Sequence, residues 1–533
     1  MKLSLGRFCA VLLVCLVVAG AAFASAYNAN PKLVVIVIID QFRPDFLDRA
    51  HDQLGPAGFR LLTERGAYFT GCYYDYANTE TAPGHATLFT GAYSNAHGIA
   101  ANLWWDDKHA ACLDTKEKQL VGSVCDDNTR IVGPGVSGIG ASPHNLLSDT
   151  IGDELKLATD GLARVFTVSL KYRAAVLPGG FSANGAFWID HATGAWVSST
   201  FYMQQLPPWA RELNTPGKAE SYWKDAQELL RKTGLKTAAD FYESVGSTPF
   251  GNDYELDFAR QLITGENLGE GPATDLLVVS LSAPDILGHK VGPNAPEHKA
   301  MVIALDRQLA DFFSFLGQRV GLANVWIVLS ADHGVSAVPG YAHNLRLPAD
   351  MLDSATLKPD LNAALGARLK HAGDYVEGHD GNFIFVSQSA FSAAGMNNEG
   401  EAERIAGEAL VEHGARSYVT RAQLAAGNVP NDDDGRRLLH SYSAYGGWYV
   451  LAIPPPYSVI WDKRSGTTHG SWYRYDQHVP LAFFGVPFQA GVYRGRCEPV
   501  DMAATLASLL GVNPPNRAAG RVLTEALRRE SAR

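Results

Sequence analysis

Four short runs of the chain are almost wholly apolar and rich in β-branched residues: 33–39, 165–170, 276–281 and 325–329. Runs of this kind predict strands buried on both faces, as in a parallel sheet covered by helices. Between them the period changes. Met301, Leu305, Leu309, Phe312 and Leu316 recur at helical spacing after Pro296, and Met502, Leu506, Leu509 and Leu510 do so before Gly511. Strand, helix, strand predicts an α/β fold on a doubly wound, mostly parallel central sheet flanked by helices. The rhythm breaks between about residues 345 and 460, which hold polar helical segments, the acidic NDDDG stretch at 431–435 and the strand-like NFIFV at 382–386. This part reads as an inserted cap region. Residues 185–265 carry Trp188, Trp196, Trp209 and Trp223 among polar residues and read as a second elaboration that lines a substrate cleft.

A length of 533 residues exceeds what one hydrophobic core usually serves. An apolar fraction of 46% and a charged fraction of 19% are those of a soluble globular chain. The net charge of −10 argues against a general nucleic-acid binder. It leaves room for a local cationic site that handles phosphate. At the N-terminus, Lys2 and Arg7 precede the apolar run CAVLLVCLVVAGAAF, which is short for a membrane span, and Ala24-Ser25-Ala26 fits a cleavage site. Residues 1–26 therefore read as an export signal, with an uncleaved anchor as the competing reading. The expected organisation is a catalytic domain of residues 27–344 and 461–533, interrupted by the 345–460 insertion. The expected location is periplasmic or secreted, without stable membrane association after cleavage. Cys9 and Cys15 would leave with the signal, and Cys72, Cys112, Cys125 and Cys497 remain. Cys112 and Cys125 flank a short polar segment and are the first choice for a disulfide. Cys72 with Cys497 follows only by subtraction.

Three of the apolar runs lead into aspartate: LVVIVIID to Asp40, LLVVSLSAPD to Asp285, and VWIVLSADH to Asp332 and His333. In open α/β sheets ligands bind just beyond the carboxyl ends of strands. One such Asp could merely cap a helix. Three, two of them with a nearby histidine, point to a metal site. Asp285 and His289 are four apart and share a face on a helical turn. GTTHGSWY offers His469 in a Gly-flanked loop. Nitrogen and oxygen donors without thiolate suit zinc, and also manganese or cobalt. Three carboxylates and one deprotonated hydroxyl would balance two divalent cations. Such a pair can activate a nucleophile and clamp a leaving oxygen.

The hydroxyl comes from NTETAPGHATLFTG, residues 78–91, which holds Thr79, Thr81, Thr87 and Thr90. An alcohol is almost fully protonated at neutral pH and needs a metal or a base to attack. With the segments DQFRPDFL, TAPGHATLFTG, HGIAANLWWD, SLKYRAA, APDILGH, ADHGV and THGSWYRYD, in this order, the chain resembles the alkaline phosphatase superfamily. Within it, the chain is similar to the threonine-nucleophile bacterial alkaline phosphatases related to the type I phosphodiesterase and nucleotide pyrophosphatase family. The resemblance runs from about residue 33 to 515. It implies an alkaline phosphatase-like fold and two zinc ions (Zn2+) per chain. It implies that Thr81 is the nucleophile, at a helix start that favours an anionic oxygen. It assigns Asp40, Thr81, Asp332 and His333 to one zinc and Asp285, His289 and His469 to the other. Asn102 would donate a hydrogen bond to a phosphoryl oxygen. His85, His97 and His478 lie inside the motifs and read as structural or supporting residues.

Lys171 and Arg173 bear on the substrate class. If the chain stays extended after the run 165–170, the two share one side. They could be solvated surface cations, but the apolar run before them and AAVLPGG after them argue for a buried setting. A monoester dianion carries one more charge than a diester, and this pair would favour it. The resemblance agrees, because a Lys-x-Arg pair here is typical of the monoesterase branch. The expected function is therefore exported alkaline phosphatase activity on small-molecule phosphate esters, through a phosphothreonine intermediate, with weaker diesterase activity possible in principle. A phosphodiesterase or nucleotide pyrophosphatase is the alternative, and a non-catalytic exported zinc- or phosphate-binding protein is the alternative of another class.

Overall fold

The computed structural model describes residues 30–106, 112, 120–462 and 466–528. The expected export signal, with Cys9 and Cys15, lies outside the described residues. The expected buried strands form: β1 (Leu33–Ile39), β5 (Val165–Ser169), β8 (Asp275–Leu281) and β9 (Val325–Ser330), all wholly buried. They join β2 (Ala67–Tyr73), β3 (Cys125–Val132), β4 (Ile139–Ala141), β6 (Gly185–Ile189), β7 (Trp196–Ser199), β10 (His478–Phe484) and β11 (Gly491–Cys497) in one sheet of eleven strands. Its order is β11-β2-β10-β9-β1-β8-β5-β6-β7-β3-β4.

The centre of the sheet, β9-β1-β8-β5-β6, is parallel throughout. Both margins are mixed or antiparallel, so the sheet is parallel where both faces are covered and antiparallel outside. β1 lies between two parallel neighbours that come later in the chain, which makes its carboxyl end a switch point. The register aligns that edge: Ile39 pairs with Leu281, Ile38 with Ser330, and Ser280 with Ser169. The next residues of four strands therefore emerge together.

The helix Pro296–Arg319 buries Met301, Leu305, Leu309, Phe312 and Leu316, and Asp501–Leu510 buries Met502, Leu506 and Leu510, as their spacing predicts. Residues 351–461 build separate small sheets. Met351–Asp353 pairs with Val459–Trp461, and Val376–Asp380, Phe383–Val386, Trp448–Ile453 and Ser417–Thr420 form a four-stranded antiparallel sheet. Leu361, Leu365, Ile384, Leu410 and Val450 form a core of their own there.

Two expectations are corrected. The tryptophans of 185–265 do not line a cleft as a group. Trp196 stacks on Phe258 at 4.0 Å between centroids, and Trp209 packs edge-on against Phe187 at 5.6 Å. Trp196 and Trp209 pack in the main core, because large aromatics gain most where they are buried, while Trp188 and Trp223 line two separate cavities. The disulfide Cys112–Cys125 forms, but Cys72 and Cys497 are free thiols, buried and paired in register across β2 and β11. Parity in a cysteine count is not a geometric argument, and a buried free cysteine packs as a small hydrophobe.

Candidate active site

Asp40 follows β1 at the switch point, and the backbone turns there at once. Gln41 is left-handed, with φ of 63°, an uncommon conformation for a residue other than glycine. The turn is held from two sides. The Gln41 amide N–H donates to Asp332 Oδ1 at 3.1 Å, and its Nε2 donates to Asp285 Oδ1 at 2.6 Å. Gly288 makes room, since a Cβ there would stand 2.0 Å from Gln41 Oε1.

The expected ligands converge. On the helix Ala283–Val291, His289 Nε2 lies 3.0 Å from Asp285 Oδ1, and His469 Nε2 lies 3.8 Å from the same oxygen. His333 Nε2 lies 3.4 Å from Asp40 Oδ1 and 3.6 Å from Asp332 Oδ2. The rings of His333 and His469 stack with centroids 3.7 Å apart. The Asp285 carboxylate is within ligand reach of both groups: it joins His289 and His469 on one side, and Asp40 and His333 on the other.

Each imidazole is held from behind by a backbone carbonyl. His289 Nδ1 meets Thr467 O at 2.9 Å, His333 Nδ1 meets Gly334 O at 2.9 Å, and His469 Nδ1 meets Thr79 O at 2.7 Å. A carbonyl only accepts, so Nδ1 carries the proton and Nε2 presents a lone pair. Burial, then the neighbouring His333 and His289, push the His469 pKa well down and keep it neutral. Asp40 Oδ1, Asp332 Oδ2 and His333 Nε2 are buried and have no hydrogen-bond partner. Orphaned buried acceptors are costly. Ligand atoms on one four-coordinate zinc stand about 3.3 Å apart, so this donor set fits a cation of that kind.

Thr81 begins the buried helix Thr81–Thr90. The Ala82 N–H donates to Asn102 Oδ1 at 2.9 Å, which fixes the amide and leaves its Nδ2 as the donating group. The Lys171 Nζ lies 2.6 Å from Asp40 Oδ2, 2.5 Å from Asp285 Oδ2 and 3.4 Å from Thr81 Oγ1. Burial alone would lower the Lys171 pKa, but Asp285 and Asp40 outweigh it and hold the ammonium charged. Arg173 stands in the first turn of the helix Tyr172–Gly179, and its buried Nε has no hydrogen-bond partner. Lys171 is the residue before that helix. This corrects the expected extended alternation: a helix start, not a strand, brings the two cations to the site. His85, read as a supporting residue, bonds Thr81 O at 2.8 Å through Nδ1 and Ser280 Oγ at 2.7 Å through Nε2.

Three further participants escaped the sequence reading. Gln41 is one, and its only signal was adjacency to Asp40. Glu80, beside Thr81, is buried and accepts the Asn102 N–H at 3.0 Å. Asp380 accepts the Leu103 N–H at 2.6 Å, and burial pushes its pKa up to about 6. No motif marks Asp380, which is 277 residues away in the chain from the Leu103 it meets.

The chain is similar to known proteins over most of its length. The sequence model of the type I phosphodiesterase / nucleotide pyrophosphatase family matches residues 34–404. Alkaline phosphatase PhoV of Synechococcus elongatus is 31% identical, over 94% of this chain and 94% of its own length. Alkaline phosphatase PafA of Elizabethkingia meningoseptica is 31% identical, over 97% of this chain and 99% of its own. A crystal structure of a PafA variant, with one threonine, one asparagine, one lysine and one arginine substituted, superposes with a TM-score of 0.83 at 28% identity, over 94% of this chain and 99% of that one. With a family match across most of its length and relatives that align end to end, this chain belongs to the type I phosphodiesterase / nucleotide pyrophosphatase family.

Proposed function

We propose that this chain is an alkaline phosphatase, a phosphoric monoester hydrolase acting on small phosphate esters. The observation that carries the reading is the Lys171 ammonium, 3.4 Å from Thr81 Oγ1 and buried among the carboxylates of Asp40 and Asp285. A fixed cation beside the nucleophile serves a phosphoryl group that keeps two negative charges. Similarity to alkaline phosphatases PhoV and PafA over nearly the full chain supports the same reading.

The residues divide the work. Asp40, Thr81, Asp332 and His333 would hold one zinc ion, and Asp285, His289 and His469 the other. Bound there, the two ions supply the positive charge that lowers a hydroxyl pKa and stabilises a departing oxygen. Thr81 Oγ attacks phosphorus in line. The Oγ–P bond forms as the Thr81 hydroxyl proton passes to water, the ester P–O bond breaks, and the alcohol leaves with that proton returned from water. Lys171, Arg173 and Asn102 Nδ2 bind the transferring oxygens. Water then attacks the phosphothreonine on the opposite face, the Oγ–P bond breaks, and phosphate leaves as a proton given up by the attacking water returns to Thr81 Oγ. The 345–460 insertion acts as a cap over this site. No helix among the described residues is long and apolar enough to cross a membrane, and export by the N-terminal signal fits scavenging of phosphate esters outside the cytoplasm.

The test is kcat/KM of the zinc-loaded protein on an aryl phosphate monoester and on the matching methyl diester. A strong monoester preference, lost in Lys171→Ala/Arg173→Ala, supports the assignment. A diester preference would move the chain to the phosphodiesterase branch of its family.

A further inference from the structure

The hairpin Val376–Asp380/Phe383–Val386 turns tightly, with Asp380 paired to Phe383 and Gly381 left-handed at φ of 51°. Its tip reaches three loops of the candidate site at once. Asp380 Oδ2 accepts the Leu103 N–H at 2.6 Å, directly after Asn102. Asn382 Nδ2 donates to Gly470 O at 2.6 Å, directly after His469. Between them, Gly381 lies so close to Glu80 that a Cβ would stand 1.9 Å from Glu80 Oε1. Glu80 precedes Thr81 and accepts the Asn102 N–H at 3.0 Å.

The tip is itself held firmly. Asn382 O accepts the Ala452 N–H at 2.9 Å, and Phe383 and Phe385 pack with Ala77, Ala82 and Trp104 in one buried cluster. Asn382 is 5% exposed. A rigid buried tip that bonds these loops adds to the hydrogen bonds they already make with one another and fixes their spacing, and small errors in spacing are expensive in catalysis.

We propose that the turn Asp380-Gly381-Asn382, supplied by the insertion, is a positioning element for the reaction. Asp380 sets Asn102 against the transferring phosphoryl group, and Asn382 sets His469 toward its metal. The inference rests on the roles proposed above for Asn102 and His469. The insertion is then part of the catalytic framework and not only a cover.

The test is a double-mutant cycle in kcat/KM on an aryl phosphate, using Asp380→Ala and Asn102→Ala in the zinc-loaded full-length protein. Asp380→Ala is expected to cost about tenfold alone and under about twofold in the Asn102→Ala background, because coupled residues are not additive. Asp380→Asn, which keeps an acceptor for Leu103 N–H, is expected to restore most of the loss. Asp380→Ser takes the place of the alanine variant if that variant does not fold. In parallel, Asn382→Ala is expected to weaken zinc retention about tenfold against a competing chelator, read by metal release without substrate. Additive losses in the cycle, with unchanged zinc retention in Asn382→Ala, would overturn the inference alone. Unchanged kcat/KM in Asn102→Ala would overturn it together with the role of Asn102.

Discussion

Lys171 and Asp285 form a buried ion pair, with Nζ 2.5 Å from Oδ2, and the same ammonium meets Asp40 at 2.6 Å. Lys171 is thus the cation that compensates two carboxylates expected to hold metal. Lys171→Ala should destabilise the metal-free protein by about 3–5 kcal/mol, the usual cost of stranding a buried charge. Zinc supplies the missing charge, so the difference in Tm from the parent should shrink when metal is added. Thermal melts with chelator and with zinc decide the point. An equal Tm deficit in both would mean that Lys171 does not stand in for metal.

Thr81 carries the proposed covalent step. Thr81→Ala should lower turnover by about a thousandfold or more, as loss of a nucleophile does elsewhere. Zinc content, measured by elemental analysis, should be largely kept, because six of the expected ligands remain. Thr81→Ser keeps the hydroxyl and should retain measurable activity. Near-parental turnover in the alanine variant would remove Thr81 from the mechanism.

The cysteines separate two states in one chain. Cys112–Cys125 closes a short loop, and Cys112 packs in the cluster that holds Trp104 and Phe383. Replacing both with alanine should cost about 3 kcal/mol, the chain-entropy value for a loop of this length. Cys72 and Cys497 should not react with a thiol reagent in the native protein, and two thiols per mature chain should appear on denaturation without reductant. Finding none would place a second disulfide between them.

His97 makes stability depend on acidity. Its Nδ1 accepts the Ile99 N–H at 3.1 Å, its Nε2 faces Thr87 Oγ1 at 3.0 Å, and burial pushes its pKa down to about 3. The folded state therefore holds the neutral ring, while an unfolded His titrates near 6.5. Stabilisation is complete above about pH 6.5 and is lost as the pH falls toward about 3. His97→Gln should flatten this part of the profile. Urea midpoints at pH 7 and pH 5 test it, and an unchanged slope would assign the acid sensitivity to other groups.

The apolar pattern of the chain marked the strands of the sheet centre, and the polar residues that follow them marked the candidate site. Runs such as 33–39 read as buried strands, and in an open α/β sheet ligands bind just beyond the carboxyl ends of such strands. Asp40, Asp285, Asp332 and Lys171 were therefore legible as a group, because each follows a strand whose register with its neighbours is set by hydrophobic pattern. What pattern does not encode is contact between distant segments. The antiparallel margins depend on which strand finds which edge. Arg173 reaches the site because a helix begins at Tyr172, which an apolar run before it does not announce. Cys72 and Cys497 face each other without a disulfide. Gln41 and the Asp380-Gly381-Asn382 turn became visible only in three dimensions, because a single hydrogen bond or a glycine's close approach leaves no periodicity in the chain. Local propensity is written in neighbouring residues, and the fit of one loop against another is decided only when the whole chain has folded.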